Sequence, residues 1–413
     1  MKKELILGID FSRDYSQIAY IDNSGNPQSI SMGTNDNYLI PTAVCYNKDL
    51  DEWSAGEEAI NKSRLENSTL YTDLPEMFTN GTDRELLEKI TLAFMSYLIK
   101  LAVNYSNGRL IKNVLVTVNE VNPEISDGIM KVFTDHGYNG DDVRVISHSE
   151  SFVYYVLNQN SDIWINKVYF LELNRHEFSL RKLDVVKGRE PHVADVTVKD
   201  MSDMLTLDVA SKDMDYADNT LAKFLEEELK KNVVSGIYLS GEGFYLEGWH
   251  KTLSTICRNR RVFKGNNLIV KGAGYGAKEN FLPPTLDRYL ISCKGRTRVR
   301  VVMDVNYKDK DSTVTLSNIG EYWYQAKTKV ECIMEKPTVA VFEVQDLINH
   351  TTESFKVDLR NFPEREPNTT RIEVKFRYIT ENKIEVQITD LGFGEFFESS
   401  GMSVKKEVVL SEL

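Results

Sequence analysis

The sequence predicts a mixed α/β architecture laid down twice and followed by an all-β module. Three observations predict it. A hairpin followed by alternating helices and strands occupies residues 4–158, and the same order restarts at Lys167. Pro283-Pro284 then discourages helix and marks a boundary. Beyond it apolar and polar residues alternate with period two, the signature of half-buried strands. The 413 residues exceed one ordinary core, and 41% hydrophobic against 27% charged residues is globular composition.

Taken in order, residues 4–10 (ELILGID) read as a buried strand ending at Asp10, and Gln17–Ile21 as its hairpin partner. Residues 40–46 (IPTAVCY) give a third strand. Residues 83–105 carry Leu86, Leu87, Ile90, Phe94, Leu98 and Leu101 at helical spacing, with Thr82 or Asp83 as cap. Lys112–Val118 is a β-branched strand, Pro123–His136 a helix, Val143–Ile146 a strand and Ser149–Asn158 a helix. This alternation implies a largely parallel sheet covered by helices. Lys167–Leu173 and Glu177–Val185 form the second hairpin, followed by an acidic helix at Ala217–Lys231 and a short strand at Gly236–Leu239. A helix over Leu246–Arg258 leads to a Gly/Ala-rich segment, Val270–Lys278. The echo between the halves reads as an internal duplication. Past the prolines, Thr297–Val305, Thr313–Tyr324, Thr328–Met334, Thr338–Val344, Ser354–Leu359, Arg371–Ile379 and Lys383–Thr389 read as strands of an antiparallel β-sandwich.

The net charge of −12 repels polyanions, which argues against nucleic acid or an acidic membrane surface as main partner. Arg258, Arg260, Arg261 and Lys264 form one basic cluster, expected to be a solvated helix end. Cys45, Cys257, Cys293 and Cys332 are scattered and lack metal-ligand spacing, so neither zinc nor haem is expected and a reducing cytoplasm fits. The start Met1-Lys2-Lys3 is followed by an apolar stretch too short for a signal sequence, and no run is long enough to span a membrane. Trp249 and Tyr245 fit a helix core, and Tyr322-Trp323-Tyr324 reads as alternating across a strand.

Five segments in order carry a family resemblance: LGID (7–10), NVLVTVN (113–119) with RVISHSESFVYYVL (144–157), VYFLELNRHEFSLRKLDV (168–185), IYLSGEGFYLEGW (237–249) and VKGAGYGA (270–277). Together they are similar to the two phosphate hairpins, the two connecting segments and the adenosine motif of the seventy-kilodalton heat-shock chaperones. The stretch RIEVKFRYITENKIEVQITD (371–390) resembles the hairpin that closes the chaperones' peptide-binding sandwich. The resemblance implies an actin-like, two-lobed nucleotide-binding fold over 1–282, with ribonuclease-H-like lobes over about 1–165 and 166–282. It further implies a β-sandwich over 285–413 that resembles a substrate-binding domain. No long helix follows that sandwich, so the chaperones' helical lid is not expected.

The resemblance implies ATP or ADP with Mg²⁺ as cofactor. Asp10 and Glu172 would act through the metal's waters, and Glu150 near the family's catalytic Glu. Ser12, Arg13, Gly241, Gly243 and Gly274 would contact nucleotide. Yet the loops depart from the pattern where phosphate must approach backbone N–H groups. Ser12-Arg13-Asp14 replaces Gly-Thr-Thr, and Asn174-Arg175-His176-Glu177 replaces Gly-Gly-Gly-Thr. No lysine stands near Asp73–Pro75, where the family's catalytic Lys would fall, and His148 stands at the family's catalytic Glu, with Glu150 two residues on. His148, His176 and Glu150 form a candidate acid–base cluster. The expectation is a chaperone-like scaffold for a protein or peptide partner, without efficient ATP hydrolysis. The alternatives are a divergent Mg-ATP hydrolase and an actin-like filament protein; a sugar kinase would need an aspartate base not found here.

Overall fold

A computed structural model describes residues 4–31, 38–188, 190–307, 310–335, 338–346 and 348–412. The Met1-Lys2-Lys3 start lies outside them. The chain is mixed α/β, 28% helix and 38% strand, with the strands in several sheets. It divides into two compact units: Met1–Val185 with Ala194–Arg288, and Val186–Val193 with Tyr289–Leu413. No helix among the described residues is long and apolar enough to cross a membrane.

The first half of the first unit contains β1 (Leu5–Asp10), β2 (Tyr15–Ile21), β3 (Pro27–Ser29), β4 (Ile40–Pro41), β5 (Val44–Asn47), β6 (Glu52–Ala55), α1 (Glu57–Lys62) and β7 (Ser68–Tyr71). It continues with α2 (Arg84–Tyr105), β8 (Ile111–Val118), α3 (Pro123–Asp135), β9 (Val143–Ser147) and α4 (His148–Leu157). One sheet runs β3-β2-β1-β8-β9, with β4 on β2; a small sheet runs β6-β5-β7. The expected strand over 40–46 is thus two strands in different sheets, split around Thr42 and Ala43. Asp83 is the α2 cap, its side chain accepting from the Leu86 N–H; Asn122 caps α3 with Pro123 in the first turn.

The second half contains β10 (Lys167–Leu173), β11 (Phe178–Val186), β12 (His192–Asp200), α5 (Leu207–Lys212), α6 (Met214–Lys231), β13 (Val234–Ser240), α7 (His250–Ile256), β14 (Arg261–Lys264) and α8 (Leu268–Phe281). Within this unit the second sheet runs β14-β13-β10-β11-β12. Each sheet therefore sets an antiparallel hairpin (β1–β2, β10–β11) beside two parallel strands (β8–β9, β13–β14). Only part of the basic cluster is a helix end: Arg258 is exposed just after the α7 cap Cys257, whereas Arg261–Lys264 pairs with β13 as an edge strand. A short 3-10 turn, Glu242–Tyr245, precedes the expected helix, whose first residues, 246–249, are not helical; α7 begins only at His250. Trp249 is buried, but Tyr245 is 51% exposed and is not core.

α8 packs on the first sheet and on α4, and glycine is what allows it. A Cβ on Gly8 would lie 2.4 Å from the Gly274 nitrogen, and one on Gly272 would lie 2.0 Å from the Ser151 carbonyl oxygen. Leu115, Ile146, Ala273 and Ala277 close the core at this contact. Burying the Leu115 and Ile146 side chains stabilises by about 1.5–3 kcal/mol each.

The second unit holds β15 (Tyr289–Ser292), β16 (Arg300–Tyr307), β17 (Lys310–Ser317), β18 (Lys327–Met334), β19 (Val339–Asp346), β20 (Thr351–Asp358), β21 (Thr370–Thr380), β22 (Lys383–Gly392) and β23 (Ser403–Val409). Antiparallel sheets run β17-β16-β19-β20 and β18-β21-β22-β23. One apolar cluster draws on both, including Val301, Phe342 and Phe355 from the first and Val374, Phe376 and Ile388 from the second. The expected strand Thr313–Tyr324 ends at Ser317. Tyr322, Trp323 and Tyr324 lie in a turn and not along a strand: Tyr322 stacks on Tyr324 at 5.6 Å, and Trp323 meets Tyr324 edge-on at 5.7 Å.

Candidate functional site

Asp10 and Glu172 occupy matching places. Each is at or next to the last residue of the hairpin's first strand. Asp10 lies opposite Gln17 and Thr117; Glu172 lies opposite Ser179 and Ser240. A cavity of about 290 Å³ opens where these strand ends meet. Asp10, Ser12, Arg13, Glu172 and Gly241 all line it, together with His148, Asn119, His176 and Asn266.

The Asp10 carboxylate is engaged. Its Oδ1 accepts from Ser12 Oγ at 2.6 Å and lies 3.0 Å from His148 Nε2. Ser12 Oγ is also 3.3 Å from the same Nε2. A nucleophile relay needs the hydroxyl on one ring nitrogen and the carboxylate on the other. Here both sit on Nε2, so the three residues are a hydrogen-bonded knot and not a relay.

The Glu172 carboxylate is engaged too. Arg181, 1% exposed at its side chain, donates to Glu172 Oε2 at 2.9 Å, to Ser179 Oγ at 2.9 Å and to Asn119 Oδ1 at 2.7 Å. Its guanidinium also lies over the Phe170 ring at 5.7 Å. Burial raises the Glu172 carboxyl above its ordinary value, and the Arg181 charge opposes that rise without cancelling it. The sequence offered a signal for Arg181: it shares a strand face with Ser179 and Leu183, an inward position where arginine needs a partner.

Acidic side chains dominate the rim. Asp14, Glu76, Glu177, Asp200 and Glu242 join Asp10 and Glu172 in the lining, against Arg13 as the sole lysine or arginine among the described lining residues. Arg13 pairs with Asp73 and stands 3.9 Å from Glu76. Burial works against the ionised Asp73, but the Arg13 hydrogen bond and charge, with the Thr72 hydrogen bond, together outweigh it and lower its pKa; burial raises that of Glu76. His176 Nε2 lies 3.4 Å from Asp14 Oδ1, and Asn119 donates to Glu177 at 3.1 Å.

The remaining expected residues have other places. Glu150 is fully buried and completes a capping box with Ser147 at the start of α4. It does not line the cavity, so the candidate acid–base cluster is not assembled. Gly241, at φ 92°, has its N–H bonded to Asn266 Oδ1 at 3.1 Å, and a Cβ there would meet the Leu173 carbonyl oxygen at 2.4 Å. Gly243 packs on Leu173, and Gly274 packs on Pro27. Tight turns and helix contacts explain these three glycines without a ligand. Among the described residues no group of three or more His, Cys, Asp or Glu side chains is placed to hold a metal ion.

A search of curated proteins gives no match to the chain. Residues 296–410 match a domain of unknown function, DUF8552. Residues 26–294 match the C-terminal region of a family of unknown function, DUF5716. That match covers more than half of the 413 residues, so the chain belongs to the DUF5716 family.

Proposed function

We propose that the protein is a chaperone-like scaffold for a protein or peptide partner, a divergent relative of the seventy-kilodalton heat-shock chaperones that does not hydrolyse ATP efficiently. In this reading the first unit is an actin-like pair of ribonuclease-H-like lobes and the second a β-sandwich. The two hairpin-led sheets of like order support the first part, and the shared core of the two antiparallel sheets the second. One observation carries the functional step. Both carboxylates that would orient Mg²⁺ waters are already held by protein cations or donors, Asp10 by His148 and Ser12, Glu172 by Arg181. An acidic rim adds repulsion toward a triphosphate.

The test is calorimetric titration of ATP and ADP, each with Mg²⁺, into the purified chain. The reading expects no binding up to millimolar nucleotide at the acidic cleft. Micromolar binding with turnover that disappears in Asp10→Asn overturns it in favour of a divergent ATPase. Concentration-dependent polymers in light scattering overturn it in favour of an actin-like filament protein.

A further inference from the structure

A second cavity, of about 490 Å³, opens in the first unit and shares Gln17, Leu39 and Asn266 with the acidic cleft. Its chemistry is different. Tyr155, Tyr238, Tyr245 and Phe263 give it an aromatic wall, with Tyr238 stacked on Phe263 at 4.9 Å and Tyr155 edge-on to Tyr238 at 5.7 Å. Lys264 and Lys271 line it, and no Asp or Glu does among the described residues. In a chain of net charge −12, two adjacent cavities have been sorted by sign. The Lys264 ammonium rests 4.4 Å from the centre of the Tyr245 ring, and among the described residues neither lysine has a carboxylate partner. Tyr245 and Phe263 are 51% and 37% exposed, so apolar ring surface is held open at the mouth.

The N-terminus of α8 forms the floor. Its cap position, Asn267, makes no side-chain cap bond, and the first turn holds no acidic residue. The first N–H groups and the positive end of the helix dipole are left without an anion. Asn267 instead accepts from Gln17 Nε2 at 3.3 Å. Gln17 lines the cavity at 2% exposure, and its Oε1 has no hydrogen-bond partner. A buried acceptor without a donor is costly, and a ligand donor would satisfy it.

We propose that this cavity binds a small planar aromatic molecule bearing one anionic group. The ring lies against Tyr245 and Phe263, the anion sits at the start of α8 between Lys264 and Lys271, and a ring N–H or O–H donates to Gln17. The volume is in the range of small-molecule sites. The inference is independent of the reading of the acidic cleft, which uses other side chains.

The test titrates the full chain with flavin mononucleotide as aromatic phosphate and indole-3-acetate as aromatic carboxylate, with riboflavin and indole as their uncharged counterparts. At least one charged probe is expected to bind in the micromolar range, ~10-fold or more tighter than its counterpart, as a charge-assisted contact requires. Which charged probe binds tells phosphate from carboxylate. Lys271→Gln, or the exposed Lys264→Gln if the first fails to fold, is expected to weaken the charged probe ~10-fold and leave the uncharged one unchanged. Absence of submillimolar binding by both charged probes, equal affinity within each pair, or indifference to both substitutions would overturn the proposal.

Discussion

Replacing Arg181 by methionine tests the buried pair at the centre of the acidic cleft. Arg181 is 1% exposed and Glu172 15%, so little water is at hand to replace the guanidinium. The substitution keeps most of the volume but strips Glu172, Ser179 and Asn119 of a shared donor. Breaking a buried pair on one side costs about 3–5 kcal/mol, because the remaining charge stays desolvated. The second change, Glu172→Gln in the same chain, removes that charge and should recover all but about 1 kcal/mol. The pH dependence has a definite sign. Glu172 already has a folded-state pKa above its unfolded value, and loss of Arg181 raises it further. The stability linked to the protonated carboxyl is therefore complete below the unfolded value and is lost as pH rises through the folded one. The defect of Arg181→Met should thus be larger at pH 8 than at pH 5. Urea unfolding by tryptophan fluorescence is the assay. In a Trp323→Phe background, Trp53, Trp164 and Trp249 report on the first unit alone. A defect equal at both pH values, or a double variant no better than the single one, would refute the reasoning.

Two further substitutions probe the frame that holds the cleft. Gly272→Ala should destabilise the first unit by about 1–3 kcal/mol, because its Cβ meets a backbone oxygen that cannot move aside, whereas Gly140→Ala, with nothing within 4 Å, should stay within about 0.5 kcal/mol in the same urea assay. Asp218 on α6 accepts from the Lys251 and Thr252 N–H groups at 2.8 Å each, capping α7 from a distance. Asp218→Ala should cost about 2 kcal/mol at pH 7. Burial works against the Asp218 carboxylate and those backbone hydrogen bonds outweigh it, lowering its pKa, so its contribution is present above the unfolded value and fades as pH falls through the folded one. The gap between variant and wild type should accordingly close in acid, and a gap that widens there would contradict the cap.

Much of the fold was legible because local chemistry and long-range packing agree. Asp83 before α2 and Pro123 in α3 mark helix starts, and the β1–β2 and β10–β11 hairpins follow from apolar runs bounded by polar tips. What was not legible depends on neighbours. Arg261–Lys264 keeps its basic side chains in solvent, and only β13 reveals its backbone as a strand. β23, β6 and β7 are short or exposed, and their pattern alone does not separate them from loop. At the site, Asp10, Ser12, Arg13, Glu172 and Gly241, which the family resemblance singled out, line one cavity. Glu150, singled out with them, lies outside that cavity and in a capping box, a place that a carboxylate three residues into a helix fills as readily as a reactive one. Glycines 243 and 274 are demanded by contacts across the fold that no local motif reveals.

The return of α8 to the first sheet has a consequence for biosynthesis. The chain lays down β1, β8 and α4 early, yet Ala273 and Ala277, which cover Leu115 and Ile146, come more than a hundred residues later than either partner. As the chain leaves the ribosome, the first sheet stays uncovered on that face until β10 to β14 of the second sheet have been synthesised. The two sheets must therefore mature together, and the apolar face awaiting α8 is where a nascent chain of this family is most exposed to association with its neighbours.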